Sequence, residues 1–444
     1  MANVFMAGFG SGNISPEESV PMQGYGNHAK RMSTNNKSEI YSLCLAVRDA
    51  EGNTAIIISV DSAAVVTPLC DEIQDAITQK TGVPQDHIFI TSIHQHCSPD
   101  HSCWEVPSAI RYRKMMIERT AEAAAAAIAD LAPAEMYIAT VKTEGLTFVK
   151  HYIMNDGTYG GDLFGNFASG IRCHETEADS DLQIVKFVRE GAREILFCNF
   201  QGHPHRGTSG KDTNVHADMP GAFREEAEAL LDAHVIYVSG AQGNLNMHSR
   251  VKEEMKTPNY IEDGKALAQY ALQAEGTYKK VNTGKVQATE ITYTANTDHS
   301  MDYLLEEART IAEHWWENND GKAAMALATS GKIHSVYHAE AIINKQEQGP
   351  TRDFNVMAVS FGDIAICGGP YEMFDTNGME IKAGSPFAMT FVGNMTNGTI
   401  GYVPSQMGYD HGCYPADITR LAPGSGELLR DQYLKMLKEQ RAAQ

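Results

Sequence analysis

Histidines and a glutamate stand just after apolar segments at four places in the sequence. His94 and His96 follow "DHIFITSI", and His203 follows "ILFCNFQG". A third apolar run, "HVIYVSG", leads into a Gly- and Asn-rich stretch that contains His248, and Glu372 follows "AICGGP". Imidazole and carboxylate groups together form the ligand set of catalytic zinc, which keeps one position open for water. These four segment ends predict a metal site, although each histidine taken alone is more typical of a structural residue.

His94 and His96 belong to the densest of these groups, "FITSIHQHCSPDH", which also contains Cys97 and His101. An imidazole can bind a metal, orient a neighbouring ligand or transfer a proton near neutral pH. Two alternatives stay open at this point: one of the pair is a ligand and the other supports it, or neither has a role. Cys97 and His101 are more typical of structural residues.

The composition is typical of a soluble globular protein, with 444 residues, of which 43% are hydrophobic and 21% are charged. No segment approaches the roughly 20 apolar residues that a membrane span needs. The net charge of -20, without a local basic cluster, argues against nucleic acid as a partner. The N-terminal segment lacks the features of a signal peptide, and the eight cysteines form no CxxC pair. We therefore expect a cytoplasmic protein with reduced thiols and no membrane contact.

Strand patterns alternate with helix patterns through the first 240 residues and must position the histidines. Segments such as "NTAIIISVDSA", "DHIFITSI" and "HVIYVSG" predict buried strands. The segment "PLCDEIQDAITQKTG" predicts a helix with Pro68 at its start and Gly82 at its end. The runs "LQIVKFVREG" and "REILFCNFQG" form a hairpin candidate. This order predicts an α/β protein with mixed β-sheets flanked by helices.

The chain changes character near residue 283. An extended segment and a long helix come first, and "FNVMAVSFGDIAICGGP" then predicts two strands around a Gly-Asp turn. We expect a main α/β portion at 1–282, which carries the histidine loops, and a second portion at 283–444, which supplies Glu372 and Tyr402. Because no low-complexity linker separates them, the two portions should form one integrated catalytic domain.

At these same residues the sequence resembles the neutral, non-lysosomal ceramidases, a family of zinc-dependent amidases. "MAGFGSGNISPEESVPMQGYG" is similar to the family's opening pattern G-x-G-x-x-D-I-T-P followed by M-x-G-Y, and "IIISVDSAAV" resembles its strand that ends in Asp. "TSIHQHCSP" resembles T-x-T-H-T-H-S-x-P, the family's most specific motif. "NFQGHPHRGTS", "ADMPGAF", "GGPYEMF" and "GNMTNGTIGYVPS" are similar to further family segments. The resemblance runs through most of the chain.

The resemblance implies a neutral-ceramidase-like catalytic domain, without the C-terminal Ig-like domain of the long family members. It implies Zn²⁺ as the cofactor and His94, His203, Glu372 and Tyr402 as the metal ligands. For His96 it implies a supporting or substrate-contacting role in the same site.

One departure from the family pattern concerns the nucleophile. The family's serine lies in G-D-V-S-P, and the matching stretch here is "GNLNM", with Asn246 at the serine position. A side-chain amide cannot be acylated, and nothing in the pattern places Ser249 at the metal. The arginine of the family's N-R segment is also replaced, since Lys150 and His151 stand near its position in "FVKHYIMNDG". The resemblance therefore implies the scaffold and the metal site, and not ceramide as the substrate.

Without a nucleophilic serine, attack by metal-bound water is the economical mechanism. We therefore expect a zinc-dependent hydrolase of an amide or ester bond, with His96 as general base or as an orienting residue. Tyr402 could hold the metal and then stabilise an oxyanion. Asn246 could donate its amide N–H to that oxyanion, or it could be only a turn residue.

Basic and polar groups near these loops predict a polar, anionic small molecule or oligosaccharide as the substrate. These groups are Lys150, His151, Arg206, His248 and Arg250. A zinc-dependent lyase that performs β-elimination on a carboxylated sugar, with Tyr and His as acid and base, is an alternative. A non-catalytic binding protein is a further alternative. The tryptophans of "EHWWENN" belong either to the core or to an interface between identical chains.

Overall fold

The structure is a computed structural model, and it describes residues 4–25, 31–161, 170–207, 209–257 and 259–444. The strands within these ranges are β1 (Met6–Asn13), β2 (Asn35–Asn36), β3 (Tyr41–Arg48), β4 (Thr54–Val60), β5 (Ile88–Ser92), β6 (Ala132–Lys142), β7 (Phe148–Val149), β8 (Tyr152–Met154), β9 (Tyr159–Gly160), β10 (Ile171–His174), β11 (Asp181–Arg189), β12 (Ile195–Phe200), β13 (Asn214–Val215), β14 (His234–Ser239), β15 (Leu245–Asn246), β16 (Lys279–Val281), β17 (Val286–Asn296), β18 (Thr351–Phe361), β19 (Ile364–Gly368), β20 (Glu372–Met373), β21 (Met389–Gly393) and β22 (Tyr402–Val403).

The helices in the same ranges are α1 (Thr67–Thr81), α2 (Pro107–Ala129), α3 (Asp218–Leu231), α4 (Tyr260–Gln273), α5 (Leu305–Asn318), α6 (Gly321–Met325), α7 (Val336–Gln348), α8 (Asp375–Gly384), α9 (Gln406–His411), α10 (Tyr414–Ile418) and α11 (Ser425–Ala442). Short 3₁₀ helices lie at Gln85–His87, Lys252–Glu254 and Asp302–Leu304. The predicted first helix is confirmed: Pro68 lies in its first turn, and Gly82 ends it with a φ of 77°. Glycine suits this position because a left-handed residue commonly terminates a helix.

The larger sheet follows the order β14, β12, β11, β6, β1, β3, β4, β5, and β16 pairs with β6. The pairs β12–β14 and β4–β5 are parallel, and β11 and β12 form the predicted antiparallel hairpin. The carboxyl ends of β5 and β14 meet, since the Ser239 hydroxyl donates a hydrogen bond of 2.7 Å to the Ile93 carbonyl. The end of β21 joins them, because the Asn394 N–H donates to the Ser239 carbonyl at 3.0 Å. Three strand ends thus converge on one region.

The smaller sheet follows the order β17, β18, β19, β21, with β19 and β21 parallel. The predicted Gly-Asp turn between β18 and β19 is confirmed, and Gly362 adopts a φ of 59° there. One face of the smaller sheet packs against the larger sheet through a shared apolar core that contains Phe89, Phe197, Phe361 and Phe391. The division at residue 282 stays a prediction, although a core formed by both portions agrees with one integrated domain.

Two further cores complete a four-layer arrangement. Helices α1 to α4 pack on the outer face of the larger sheet, and α8 and α11 pack on the outer face of the smaller one. The layers therefore run helix, sheet, sheet, helix, as expected when each sheet buries both faces. The predicted α/β class with mixed sheets flanked by helices is confirmed.

Helices α5, α6 and α7 form a separate small lobe with its own apolar cluster, which includes Leu304, Ile311 and Ile342. Trp315 packs edge-on against Tyr337 within this lobe, whereas Trp316 is 57% exposed. In the part of the chain that the structure describes, no helix has the length and apolar character needed to cross a membrane. All eight cysteines are free thiols.

Candidate metal centre

His94 lies two residues beyond the end of β5, at the convergence of the strand ends. Its φ of 68° is left-handed, a conformation that costs a non-glycine residue of order 1–3 kcal/mol and is frequent at functional sites. Two contacts hold it there: its N–H donates to the Ser62 carbonyl at 2.9 Å, and its Nδ1–H donates to the Ala63 carbonyl at 2.6 Å. Because Nδ1 donates, Nε2 is the nitrogen that faces the site. Burial lowers the pKa of this imidazole, but Glu372 outweighs burial and raises the pKa above its ordinary value, so a metal at Nε2 would displace a proton.

Three buried atoms from distant segments meet at this point. Nε2 of His94 lies 3.1 Å from Oε2 of Glu372, and Nδ1 of His203 lies 4.0 Å from the same oxygen. Nε2 of His94 and Oε2 of Glu372 are close enough for an ion pair, but none of the three atoms has a partner of hydrogen-bond geometry among the described residues. Ligand atoms at about 2.1 Å from one tetrahedral zinc ion are about 3.4 Å apart, so the observed separations bracket the spacing that zinc requires. The donor set and the unsatisfied atoms fit a zinc-sized cation.

His96 completes a group of three imidazoles. Its Nε2 lies 3.2 Å from Nε2 of His203, and the candidate ligand atoms of His94, His96 and His203 all lie within 4.8 Å of one another. Burial, reinforced by the neighbouring histidines, holds the pKa of His96 and of His203 well below the ordinary value. Both rings are therefore neutral, which is the form that binds a metal or accepts a proton. Two roles for His96 therefore remain open. The supporting role stays a prediction, and the position of the ring also suits a third imidazole ligand.

Tyr402, the remaining predicted ligand, lies on β22 directly beside Glu372. The strands β20 and β22 are parallel, and Glu372 is in register with Tyr402. Lys150 is buried, and its Nζ lies 5.5 Å from the centroid of the Tyr402 ring. The sheet therefore places Tyr402 beside Glu372, and Lys150 lies near the Tyr402 ring, while metal binding by Tyr402 stays a prediction.

The loop after β14 fixes the position of Glu372, a role that sequence reasoning missed. The Gly243 N–H donates to the Met373 carbonyl at 2.8 Å. Asn244 and Asp375 bind each other reciprocally: the Asn244 amide donates to the Asp375 carboxylate at 2.7 Å, and the Asp375 N–H donates to the Asn244 amide oxygen at 2.8 Å. The Gly243-Asn244 pair of this loop was visible in the sequence, but its partners were not.

Replacing Gly243 tests this loop contact. A Cβ at residue 243 would lie 2.6 Å from the Glu372 carbonyl oxygen, so Gly243→Ala must displace the strand that carries the ligand. We expect a loss of about 1–3 kcal/mol in the free energy of unfolding from this overpacking, together with weaker zinc binding. Denaturant titration and zinc titration measure the two effects. Gly321→Ala is the matched control, because a Cβ there meets only ordinary contacts at 3.6 Å or more, and an equal effect of both variants would contradict the argument.

The N-terminal segment closes another side of the centre. A Cβ on Gly24, whose φ is 111°, would lie 2.5 Å from the Cβ of His96. The Arg31 guanidinium donates to the His96 carbonyl at 2.9 Å, and the Tyr25 ring stands edge-on to the His96 ring at 5.2 Å. The Met-Gln-Gly-Tyr motif therefore packs on the histidine motif. Gly26 and Thr208, at the edges of two quoted motifs, lie outside the described residues.

Asn246 and Ser249 occupy different surroundings. Asn246 is buried in β15, where it pairs with Phe148 of β7. The Ser249 hydroxyl is hydrogen-bonded to Nε2 of His174 at 2.8 Å. Ser249 is thus hydrogen-bonded to a histidine that does not belong to the group of three imidazoles. An oxyanion-binding role for Asn246 stays a prediction.

The residues predicted to bind substrate divide into two sets. The first set lies at or near the metal centre. Lys150 lies near the Tyr402 ring. His248 lies at the edge of the centre, because its ring is 5.9 Å from the ring of His205, and the ring of His205 is 4.7 Å from that of His203. Arg250 is partly buried at the end of the same loop.

The second set points elsewhere. The Arg206 Nε donates to the Asp263 carboxylate on α4 at 2.8 Å, and both side chains are largely buried. The His151 Nδ1 lies 3.6 Å from the Glu175 carboxylate. Burial alone would lower the pKa of His151, but its contacts with the Cys413 thiol and with Glu175 raise that pKa to about 9. The structure therefore gives Arg206 and His151 protein partners of their own, and their contact with a substrate stays a prediction.

Two solved structures share the fold of this chain. The neutral ceramidase from Pseudomonas aeruginosa superposes with a TM-score of 0.75 at 13% sequence identity, over 99% of this chain and 75% of that chain. This chain has the neutral ceramidase fold. A structure described as ceramidase complexed with C2 matches with a TM-score of 0.74 at 12% identity, over 99% of this chain and 76% of that one.

The fold predicted from the resemblance is therefore confirmed, at an identity that shows the fold alone. No family profile matches the sequence, and no curated protein sequence matches it.

Proposed function

We propose that this protein is a zinc-dependent hydrolase of an amide or ester bond in a polar, anionic small molecule or glycan. The proposal depends mainly on one observation: Nε2 of His94, Nδ1 of His203 and Oε2 of Glu372 converge while buried and without hydrogen-bond partners among the described residues. Leaving three such atoms unsatisfied is costly, and a cation between them removes the cost. The ceramidase fold supports a hydrolase by analogy only.

His94, His203 and Glu372 would hold the ion, with Tyr402 beside Glu372 as the fourth ligand. When bound, zinc supplies a Lewis acid that polarises the carbonyl and lowers the pKa of a coordinated water from about 15.7 to about 7. All other steps fall to side chains of this chain. The products are a carboxylic acid and an amine or alcohol.

His96 is the proposed general base. Its ring is neutral because burial holds its pKa well below the ordinary value, and its Nδ1 has no hydrogen-bond partner in the described part of the chain. It can therefore accept a proton from the attacking water and return it to the leaving group. Lys150, a buried cation 5.5 Å from the Tyr402 ring, would orient the anionic group of the substrate.

A zinc-dependent lyase acting on a carboxylated sugar is the second candidate. The Lys150 ammonium beside the Tyr402 ring favours it, because a cation there would bind the carboxylate of the sugar next to the tyrosine that must act as a base. The lyase and the hydrolase differ in stoichiometry. Hydrolysis adds one water to the products, whereas β-elimination adds none and leaves a carbon–carbon double bond.

Mass spectrometry of the products separates these candidates. The zinc-loaded protein is incubated with N-acylated amino compounds, carboxylate esters and uronate-containing oligosaccharides, in ordinary and in heavy-oxygen water. We expect product masses that sum to substrate plus one water, with the heavy oxygen in the released acid. Products without added water would contradict the hydrolase in favour of the lyase. Ligand binding without any product would leave only the non-catalytic binding protein.

A further inference from the structure

A second group of metal-ligating side chains lies outside the centre described above, where the small helical lobe meets α10. His334 immediately precedes the N-cap residue of α7, and His338 lies in the first turn of that helix. The cap orients this turn, because the Ser335 hydroxyl accepts a hydrogen bond from the His338 N–H at 3.0 Å. Asp417, on α10, faces both histidines from the other side.

The distances place three donors around one point. Nδ1 of His334 lies 2.8 Å from one carboxylate oxygen of Asp417, and Nδ1 of His338 lies 3.9 Å from the other. The two imidazole rings have centroids 5.4 Å apart, and the candidate ligand atoms of all three residues lie within 4.8 Å of one another. Ligands of one tetrahedral ion are about 3.4 Å apart, so a small shift of the side chains would bring all three within bonding distance of a single cation.

An ordinary ion pair between His334 and Asp417 is the competing explanation. Such a pair accounts for the 2.8 Å contact, and at a half-exposed histidine it contributes little to stability. It does not account for His338. That residue is 2% exposed, and its Nδ1 points toward the same carboxylate at 3.9 Å, beyond hydrogen-bond distance. Among the described residues, the hydrogen bond that reaches this atom is a long one of 3.4 Å from the His334 N–H.

We propose that His334, His338 and Asp417 form a second metal site, distinct from the catalytic centre, for a divalent ion of the zinc type. Two imidazole nitrogens and one carboxylate oxygen suit zinc, nickel, copper and cobalt, whereas calcium and magnesium prefer oxygen ligands. The side chain of His334 is 48% exposed, so the ion can enter from solvent and keep water at its open positions.

The site would connect the helical lobe to the strand that carries Tyr402. Thr419 follows α10 directly, and its hydroxyl donates to the Tyr402 carbonyl at 2.7 Å. The Tyr414 ring, at the start of α10, stands edge-on to the Tyr402 ring at 6.3 Å. An ion held by both α7 and α10 would restrain α10, and therefore the backbone of Tyr402. This proposal does not depend on the proposed catalytic function.

Metal titration of the full-length protein tests the site. Metal-free wild type, His334→Ala and His314→Ala are titrated with zinc, and bound zinc is measured after equilibrium dialysis. His314→Ala is the matched control, since it removes an imidazole from the same lobe outside the group of three. We expect the wild type and the control each to bind one more zinc ion per chain than His334→Ala binds. If His334→Ala still binds that ion, we expect its affinity to be at least about 10-fold weaker.

Two further variants keep the outcome clear. Asp417→Asn preserves the shape of the side chain and should lower the affinity for the zinc ion at the second site. Circular dichroism verifies that the His334→Ala and Asp417→Asn variants stay folded. His203→Ala should remove the zinc ion of the proposed catalytic centre and leave the zinc ion of the second site. Failure of one proposal can therefore be distinguished from failure of the other. Equal zinc binding by wild type and His334→Ala would overturn the second site. Binding of the extra equivalent only at millimolar zinc would overturn it as well.

Discussion

His203→Ala is expected to remove zinc and activity together. The variant deletes one of the three buried donors, and His94 and Glu372, even with Tyr402, would then leave the ion one protein ligand short. Mutation of residues that merely orient metal ligands already lowers affinity by about 10- to 100-fold, so loss of a ligand should lower it by more than about 100-fold. Loss of several kcal/mol of transition-state stabilisation should lower kcat/KM by about 1,000-fold. Zinc content and steady-state kinetics measure the two effects.

His205→Ala is the matched control for that experiment. His205 lies in the same loop, and its ring lies 4.7 Å from that of His203, but it is outside the group of three imidazoles. The control should therefore retain zinc. A His203→Ala variant that keeps its zinc, or a His205→Ala variant that loses it equally, would show that the ligands have been assigned incorrectly.

Arg224→Ala is expected to destabilise the fold by about 3–5 kcal/mol, because it leaves a buried carboxylate without its counter-charge. Asp61, at the end of β4, is fully buried, and both of its oxygens accept hydrogen bonds of 2.5 Å from the Arg224 guanidinium. The same carboxylate accepts from the Tyr41 N–H at 2.9 Å. The pair therefore joins α3 to two strands of the larger sheet. Chemical denaturation monitored by circular dichroism measures the change in the free energy of unfolding.

An exposed ion pair provides the comparison for Arg224. Arg111 binds the Glu18 carboxylate with two hydrogen bonds of 2.6 Å, but the two side chains are 60% and 44% exposed. Solvent screens such a pair, so Arg111→Ala should lower the free energy of unfolding far less than Arg224→Ala does. The geometry of the two pairs is alike, and burial is the difference. If Arg224→Ala cost as little as Arg111→Ala, the structural role assigned to the Asp61 pair would be wrong.

The local elements could be predicted from the sequence because their patterns are local. Proline and glycine marked both ends of α1, and apolar runs marked β4, β5 and β14. The same reasoning marked His94, His203 and Glu372 as polar groups at strand ends, and the resemblance to the ceramidases implied that these three bind one metal. Resemblance to the ceramidases added Tyr402, which composition and periodicity did not mark.

The details of the centre depend on contacts between distant residues and could not be predicted. The left-handed conformation of His94 is imposed by the Ser62 and Ala63 carbonyls, which no local pattern reveals. Asn244 binds Asp375, 131 residues further along the chain. Arg206 looked available for a substrate because its partner, Asp263, lies 57 residues away on another helix. Residue type shows what a side chain can do, whereas its partners decide which of those roles remain open.

The second candidate metal site illustrates the same limit. His334 and His338 are four residues apart, but His334 lies just before the N-cap residue of α7, so helical spacing alone does not bring the two rings together. The third donor, Asp417, is 83 residues from His334, and only the packing of α10 against α7 brings it close. A pair of histidines at this spacing is unremarkable without that carboxylate.

X-ray diffraction from crystals of the zinc-loaded protein, measured on both sides of the zinc absorption edge, tests the central claim most directly. We predict an anomalous peak within about 2.2 Å of Nε2 of His94, Nδ1 of His203 and Oε2 of Glu372. Such a peak would account for the three buried atoms that lack hydrogen-bond partners among the described residues. A contrary result would be an anomalous map without a peak at that position, with ordered water bound to the three atoms instead.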